Sequence, residues 1–214
     1  MKTILCYGDS NTWGSIPTPT FNGARRYDAH TRWAGVLRDR LGEDYWVIEE
    51  GLGGRTTVWD DPLSPHRNGY AYLPPCLMTH RPIDLVVLML GTNDLKHRFG
   101  LSAYDIASGA GFLVDTILRS MCGPEDTPPG VLLVCPPPTT DPIPPKFADM
   151  FAGAIEKSRQ LAPQYEKVAN DYGLPFLNAG DVIESSPVDG IHFTPEAHIK
   201  LGEALAEKVR AVLV

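Results

Sequence analysis

Apolar residues along this chain gather into five short runs, and each run ends against glycine, proline or a small polar residue. The runs are Ile4 to Tyr7, Tyr45 to Ile48, Ile83 to Leu90, Val131 to Val134 and Pro175 to Asn178. They are continuous rather than alternating, the pattern of a strand covered on both faces, and therefore of a parallel sheet. Between them the period lengthens. Trp33, Val36, Leu37 and Leu41 fall at helical spacing, with Thr31 as the expected cap and Gly42 as the stop. Tyr70 to His80 predicts a short helix interrupted at Pro74-Pro75. Ser102 to Met121 predicts a crossover helix, with Ser102 as N-cap and Asp105 completing a capping box. A helical stretch from Phe147 to Asp171 should kink or break at Pro163, and Thr194 with Pro195 should open a last helix that faces Glu196, His198 and Glu203 outward. Strand and helix alternating in this way predict an α/β fold: a doubly wound, five-stranded parallel sheet with helices on both faces, built as one domain over residues 1–214.

In such sheets ligands bind beyond the carboxyl ends of the strands, so the residues that end each run carry the chemistry. The first run stops at Gly8-Asp9-Ser10, which delivers a serine to a strand end. A serine becomes a nucleophile only beside a base. Near the other end of the chain, Asp189 and His192 stand three residues apart in a Gly- and Pro-bounded loop, a spacing that lets the carboxylate hold one imidazole nitrogen and leaves the other for the Ser10 proton. The third run ends in Gly91-Thr92-Asn93-Asp94, where a side-chain amide can donate to an oxyanion. The second leads into Gly51-Leu52-Gly53-Gly54, whose backbone N–H groups can approach a ligand closely. Taken singly, Gly-Asp-Ser also reads as an Asx-turn or cap, and Asp-x-x-His as a loop hydrogen bond.

These four blocks, in this order and spread over nearly the full length, resemble the SGNH hydrolases, also called GDSL-type esterases and lipases. Their flavodoxin-like fold agrees with the strand pattern. The resemblance implies Ser10 as nucleophile, Asp189 and His192 as the rest of a triad, and an oxyanion hole from Ser10, Gly54 and Asn93. The wording Glu49-Glu50-Gly51-Leu52 and Arg55-Thr56-Thr57 is similar to the arylesterase and acyltransferase branch. That branch implies a small-molecule ester as substrate, water, an alcohol or peroxide as acyl acceptor, and a homo-oligomer. Asn11 stands where the name-giving pattern has Leu, and Arg55 where many members have Asp.

Bulky residues near these blocks are candidates for a substrate pocket: Asn11, Trp13, Trp59, Phe147, Phe151, Ile191 and Phe193. Such walls suit an acetyl-type acyl group. A carbohydrate acetylesterase, or a lysophospholipase or thioesterase, would use the same triad. The rival from another class is a flavodoxin-like nucleotide or flavin module with Gly8 to Gly14 around a phosphate, but it leaves Asp189, His192 and Asn93 without a role. No cofactor is expected. Histidines without H-x-x-x-H or H-E-x-x-H spacing argue against a metal hydrolase. The α/β-hydrolase elbow G-x-S-x-G is missing, because Thr12 takes its last position.

Charge narrows the partners. A formal net charge of −7, with no basic cluster beyond Arg25-Arg26, disfavours nucleic acid and a membrane surface. Four cysteines without a C-x-x-C pair argue against a disulfide framework, and two of them lie inside predicted strands as small buried groups. The opening Met1 to Leu5 begins like a signal peptide, yet its apolar run ends at Tyr7, so a cytoplasmic protein is expected.

Overall fold

The computed structural model describes residues 1–20 and 25–213. In chain order the elements are β1 (Lys2–Gly8), α1 (Ser10–Trp13), α2 (Trp33–Leu41), β2 (Tyr45–Gly51), α3 (Gly69–His80), β3 (Leu85–Met89), α4 (Ala103–Arg119), β4 (Gly130–Cys135), α5 (Pro145–Ala148), α6 (Ala154–Arg159), α7 (Leu161–Tyr172), β5 (Phe176–Asn178) and α8 (Pro195–Val212). The five strands form one parallel sheet in the order β2-β1-β3-β4-β5. The α/β expectation holds.

Alternation along each strand divides the core. Leu5, Tyr7, Val86, Leu88, Val131 and Leu133 point to the face covered by α3, α4 and α7. Ile4, Cys6, Leu85, Val87, Leu132 and Val134 point to the other, covered by α2 and α8. Two apolar faces explain the unbroken apolar runs. On the second face the two helices pack closely: a Cβ added at Gly202 would lie 2.6 Å from the Val36 side chain and 2.7 Å from the Trp33 carbonyl.

Local signals held where capping chemistry set them. Ser102 and Asp105 form the capping box of α4, and Thr194 caps α8 with Pro195 in its first turn. Several other expectations are corrected. Thr31 does not cap α2; its hydroxyl donates to Asp28 Oδ2 at 2.8 Å, and the helix starts two residues later. Pro74 and Pro75 do not interrupt α3, which buries Leu73, Cys76 and Leu77 while the carbonyls the prolines leave unpaired fall on exposed Tyr70 and Ala71. The break near Pro163 comes earlier, between α6 and α7, and Pro163 itself lies in the first turn of α7, where an N–H would have no helical partner.

His198 is fully buried rather than outward-facing, wedged between α8 and α2, with its Nδ1 accepting the Trp33 backbone N–H at 3.2 Å. Arg26 is tied down as well, donating from Nε to the Trp13 carbonyl at 2.5 Å and from Nη2 to Glu49 at 3.2 Å. From Ser15 to His30 the chain is rich in Pro, Gly, Asn and Thr, a composition that predicts a loop, and residues 21–24 of that stretch lie outside the described residues. All four cysteines are free and buried. Among the described residues, no helix is long and apolar enough to cross a membrane.

Candidate active site

The strand order reverses direction at β1 and β3, so a crevice opens beyond their carboxyl ends. Ser10 begins the one-turn helix α1 directly after β1; Asp9 caps that turn by accepting the Asn11 N–H at 2.9 Å. Asn93 follows β3 in a short 3-10 turn. Asp189 and His192 arrive on the loop before α8, and the tertiary fold closes a sequence gap of 182 residues to set His192 Nε2 2.9 Å from Ser10 Oγ. The other ring nitrogen, Nδ1, lies 2.7 Å from Asp189 Oδ2.

Backbone N–H groups hold Asp189 on all sides. Its Oδ1 accepts from Ile191 at 3.1 Å and His192 at 3.0 Å, and its Oδ2 accepts from Thr18 at 3.1 Å. Burial pushes this carboxyl up, but the hydrogen bonds and charge of His192 and the Ile191 N–H outweigh it and hold the pKa below the ordinary value. Ionised Asp189 can only accept, so the Nδ1 proton points to it. Nε2 is thereby left as an acceptor facing the Ser10 hydroxyl.

Beside the serine lies the glycine loop. Gly54 adopts φ +81°, a left-handed conformation that favours glycine, and its N–H has no hydrogen-bond partner among the described residues. Asn93 Nδ2 donates to the Arg55 carbonyl at 3.1 Å, which seats the amide next to Gly54, and reaches Asp9 Oδ2 only at 3.5 Å. Thr57 binds this loop to the turn that bears Asn93, through Asp94. Two carboxyls lie beneath: burial raises Asp9 to about 6 against the pull of the Asn11 N–H, His192, Arg55 and Lys96, and raises Asp94 to about 6 against its Thr57 hydrogen bonds.

Arg55 was not singled out for any role by sequence. Its guanidinium donates from Nη1 to the Gly8 carbonyl at 2.8 Å and to the Glu50 carbonyl, and stacks 4.2 Å over the Tyr7 ring. It clamps the end of β1 to the end of β2, at the base of the loop that carries Gly54. Nothing in the local pattern marks such a clamp, because its acceptors are main-chain carbonyls.

The bulky candidates separate. Trp13 is half-buried under Arg26, and Trp59 is exposed at the surface. Asn11 turns away into the protein, donating to the Ile191 carbonyl at 3.3 Å. Ile191, Phe147 and Phe151 are packed into the core on the α4 and α7 side. Phe193 is corrected as a pocket residue: it is fully buried on the opposite side of the sheet, its ring centroid 5.3 Å from that of His198. The two residues that flank His192 thus point into different cores. Beside the glycine loop a cavity of about 430 Å³ is lined by Glu50, Leu52, Arg55, His66, Asn68 and Tyr72. Among the described residues, three metal-donor side chains converge only at Glu50, Cys76 and His80.

The profile of the GDSL-like lipase/acylhydrolase family matches residues 6–199. A search of curated proteins finds no match. Solved structures do match. The chain is 48% identical to the native Mycobacterium smegmatis aryl esterase (M. Smegmatis), with 99% of each chain covered and a TM-score of 0.94. It is 45% identical to Est24, a carbohydrate acetylesterase from Sinorhizobium meliloti, over 99% of this chain and 100% of that one, also at TM-score 0.94. A carbohydrate acetylesterase family member from the same organism is 42% identical, over 100% of this chain and 99% of that one, at TM-score 0.91. With the fold, the profile and the near-complete coverage in agreement, the chain belongs to the GDSL-like lipase/acylhydrolase family and is a carboxylic ester hydrolase acting on a small-molecule ester.

Proposed function

We propose that the protein is a short-chain esterase working through an acyl-enzyme on Ser10, with His192 as base and Asp189 as its orienting carboxylate. The observation that carries this reading is the continuous chain from Asp189 Oδ2 through both nitrogens of His192 to Ser10 Oγ, at 2.7 and 2.9 Å.

Each step follows from that order. His192 Nε2 takes the hydroxyl proton as Ser10 Oγ bonds to the ester carbonyl carbon. The negative charge that develops on the carbonyl oxygen meets the N–H groups of Ser10 and Gly54 and the Asn93 proton not engaged by the Arg55 carbonyl. His192 then gives its proton to the departing alcohol or phenol as the C–O bond breaks. Water enters, loses a proton to His192 and attacks the acyl group, which leaves as the carboxylic acid while Ser10 recovers its proton. An alcohol or peroxide entering in place of water would yield a new ester or a peracid by the same sequence. The buried setting of Ser10, with Trp13 on the same one-turn helix and the Ile191 side chain already packed into the core, suits an acetyl group. The proposal extends to a homo-oligomer, which a solution mass of one chain would overturn.

The test is hydrolysis of p-nitrophenyl acetate, butyrate, octanoate and palmitate by wild type and Ser10→Ala. Activity should fall with chain length and disappear in the variant, a loss on the order of 10⁶ by analogy with serine proteases. Retained activity in folded Ser10→Ala would sink the mechanism. Likeness to two carbohydrate acetylesterases, together with exposed Trp59 and Tyr70 as sugar platforms, favours acetylated sugars as the second substrate class to assay.

A further inference from the structure

We propose that Glu50, Cys76 and His80 form a binding site for a borderline divalent cation of the zinc type, separate from the esterase centre. Cys76 and His80 are four residues apart on α3, so one helical face presents both side chains a turn apart. Glu50 comes from β2, at the register position opposite Tyr7, whose side chain points to the α3 side of the sheet. The fold thus brings a thiol, an imidazole and a carboxylate together, with ligand atoms all within 4.8 Å of one another. Tetrahedral zinc, with bonds of about 2.0 Å to nitrogen or oxygen and 2.3 Å to sulfur, needs ligand atoms roughly 3.3–3.6 Å apart. Rotamer adjustments of about an ångström close that difference, since Glu50 and His80 are only partly buried.

Thiolate, imidazole and carboxylate are the set that zinc accepts and that magnesium and calcium do not favour. In the ion's absence Glu50 Oε1 and His80 Nε2 satisfy each other at 2.8 Å. Coordination would replace that hydrogen bond, move the His80 proton to Nδ1 and release the Cys76 thiol proton to solvent. The 430 Å³ cavity beside the glycine loop reaches the cluster at Glu50 and gives solvent access to that ligand. Burial, then the Glu50 charge, pushes the Cys76 thiol up and Arg55 offsets only part of that, so the thiol keeps its proton until an ion displaces it. Filled, the site would staple α3 to the end of the edge strand β2, just before the loop that carries Gly54.

The experiment is equilibrium dialysis of metal-stripped protein against Zn²⁺, with thermal unfolding followed in parallel. Wild type should take up one equivalent and unfold at higher temperature when loaded. Cys76→Ser and His80→Gln should each weaken uptake by at least about tenfold and remove the thermal shift; His80 is partly exposed, so its variant keeps the fold. Cobalt in place of zinc should show a thiolate charge-transfer band in wild type that Cys76→Ser abolishes. No stoichiometric uptake by folded wild type, or uptake unchanged in both variants, would overturn the site. Neither result depends on ester hydrolysis.

Discussion

Asp94 accepts two hydrogen bonds from one residue, the backbone N–H of Thr57 at 3.0 Å and its hydroxyl at 2.5 Å. Both residues are fully buried, and the contact joins the turn after β3 to the loop after β2. Those segments bear Asn93 and Gly54, so one carboxylate sets the spacing of two proposed oxyanion donors.

Removing that carboxylate should therefore affect stability and turnover together. Asp94→Ala leaves two buried donors without a partner and should cost about 1–3 kcal/mol by urea unfolding. The loosened loop should lower kcat by between about 10- and 100-fold on p-nitrophenyl acetate. Asp94→Asn keeps an acceptor oxygen and should lose less. Unchanged kcat in a folded Asp94→Ala would show that the link does not serve the site.

The donors and the triad themselves are separable by magnitude. Asn93→Ala removes one oxyanion donor and should reduce kcat by about 10²–10³ with little change in KM. Asp189→Asn can donate where an acceptor is needed, which reverses the His192 tautomer, and should cost about 10⁴. Steady-state kinetics with both variants checks the order; a larger loss from Asn93→Ala than from Asp189→Asn would contradict the proposed roles.

Acid should weaken the fold through His198. Burial, followed by the charges of His192 and Arg32, pushes its pKa down to about 3 from the ordinary 6.5. The unfolded chain binds this proton below pH 6.5 and the folded protein does not until about pH 3, so stability present above 6.5 is lost as pH falls through that window. The slope is about 1.4 kcal/mol per pH unit. His198→Gln has no such term. Its destabilisation relative to wild type should shrink by about 2 kcal/mol between pH 7 and pH 5 in urea unfolding. A constant difference would mean that His198 is not held neutral.

Strand identity and the glycine-terminated ends were legible in the sequence because a doubly covered parallel strand must be apolar throughout, as Leu85 to Met89 is; which face each residue takes was not, because both faces are apolar. Caps such as Ser102 with Asp105 were legible because their partners lie one turn away. Ser10, Asp189, His192, Gly54 and Asn93 stood out in the sequence as a candidate set through their order along the chain, and the proposed mechanism rests on them. Other features depended on partners far away in sequence. Helical periodicity alone does not reveal that α8 turns His198 onto Trp33, that Phe193 and Ile191 enter opposite cores, or that Arg55 ends on the carbonyl of Gly8. Cys76 and His80 show their four-residue spacing in the sequence, yet Glu50 joins them only once β2 and α3 pack side by side. Local propensity and patterning decide which elements form and which face is apolar. The burial of a polar side chain and the partner it meets are decided by packing across the sheet, where the relevant residues lie up to 182 positions apart.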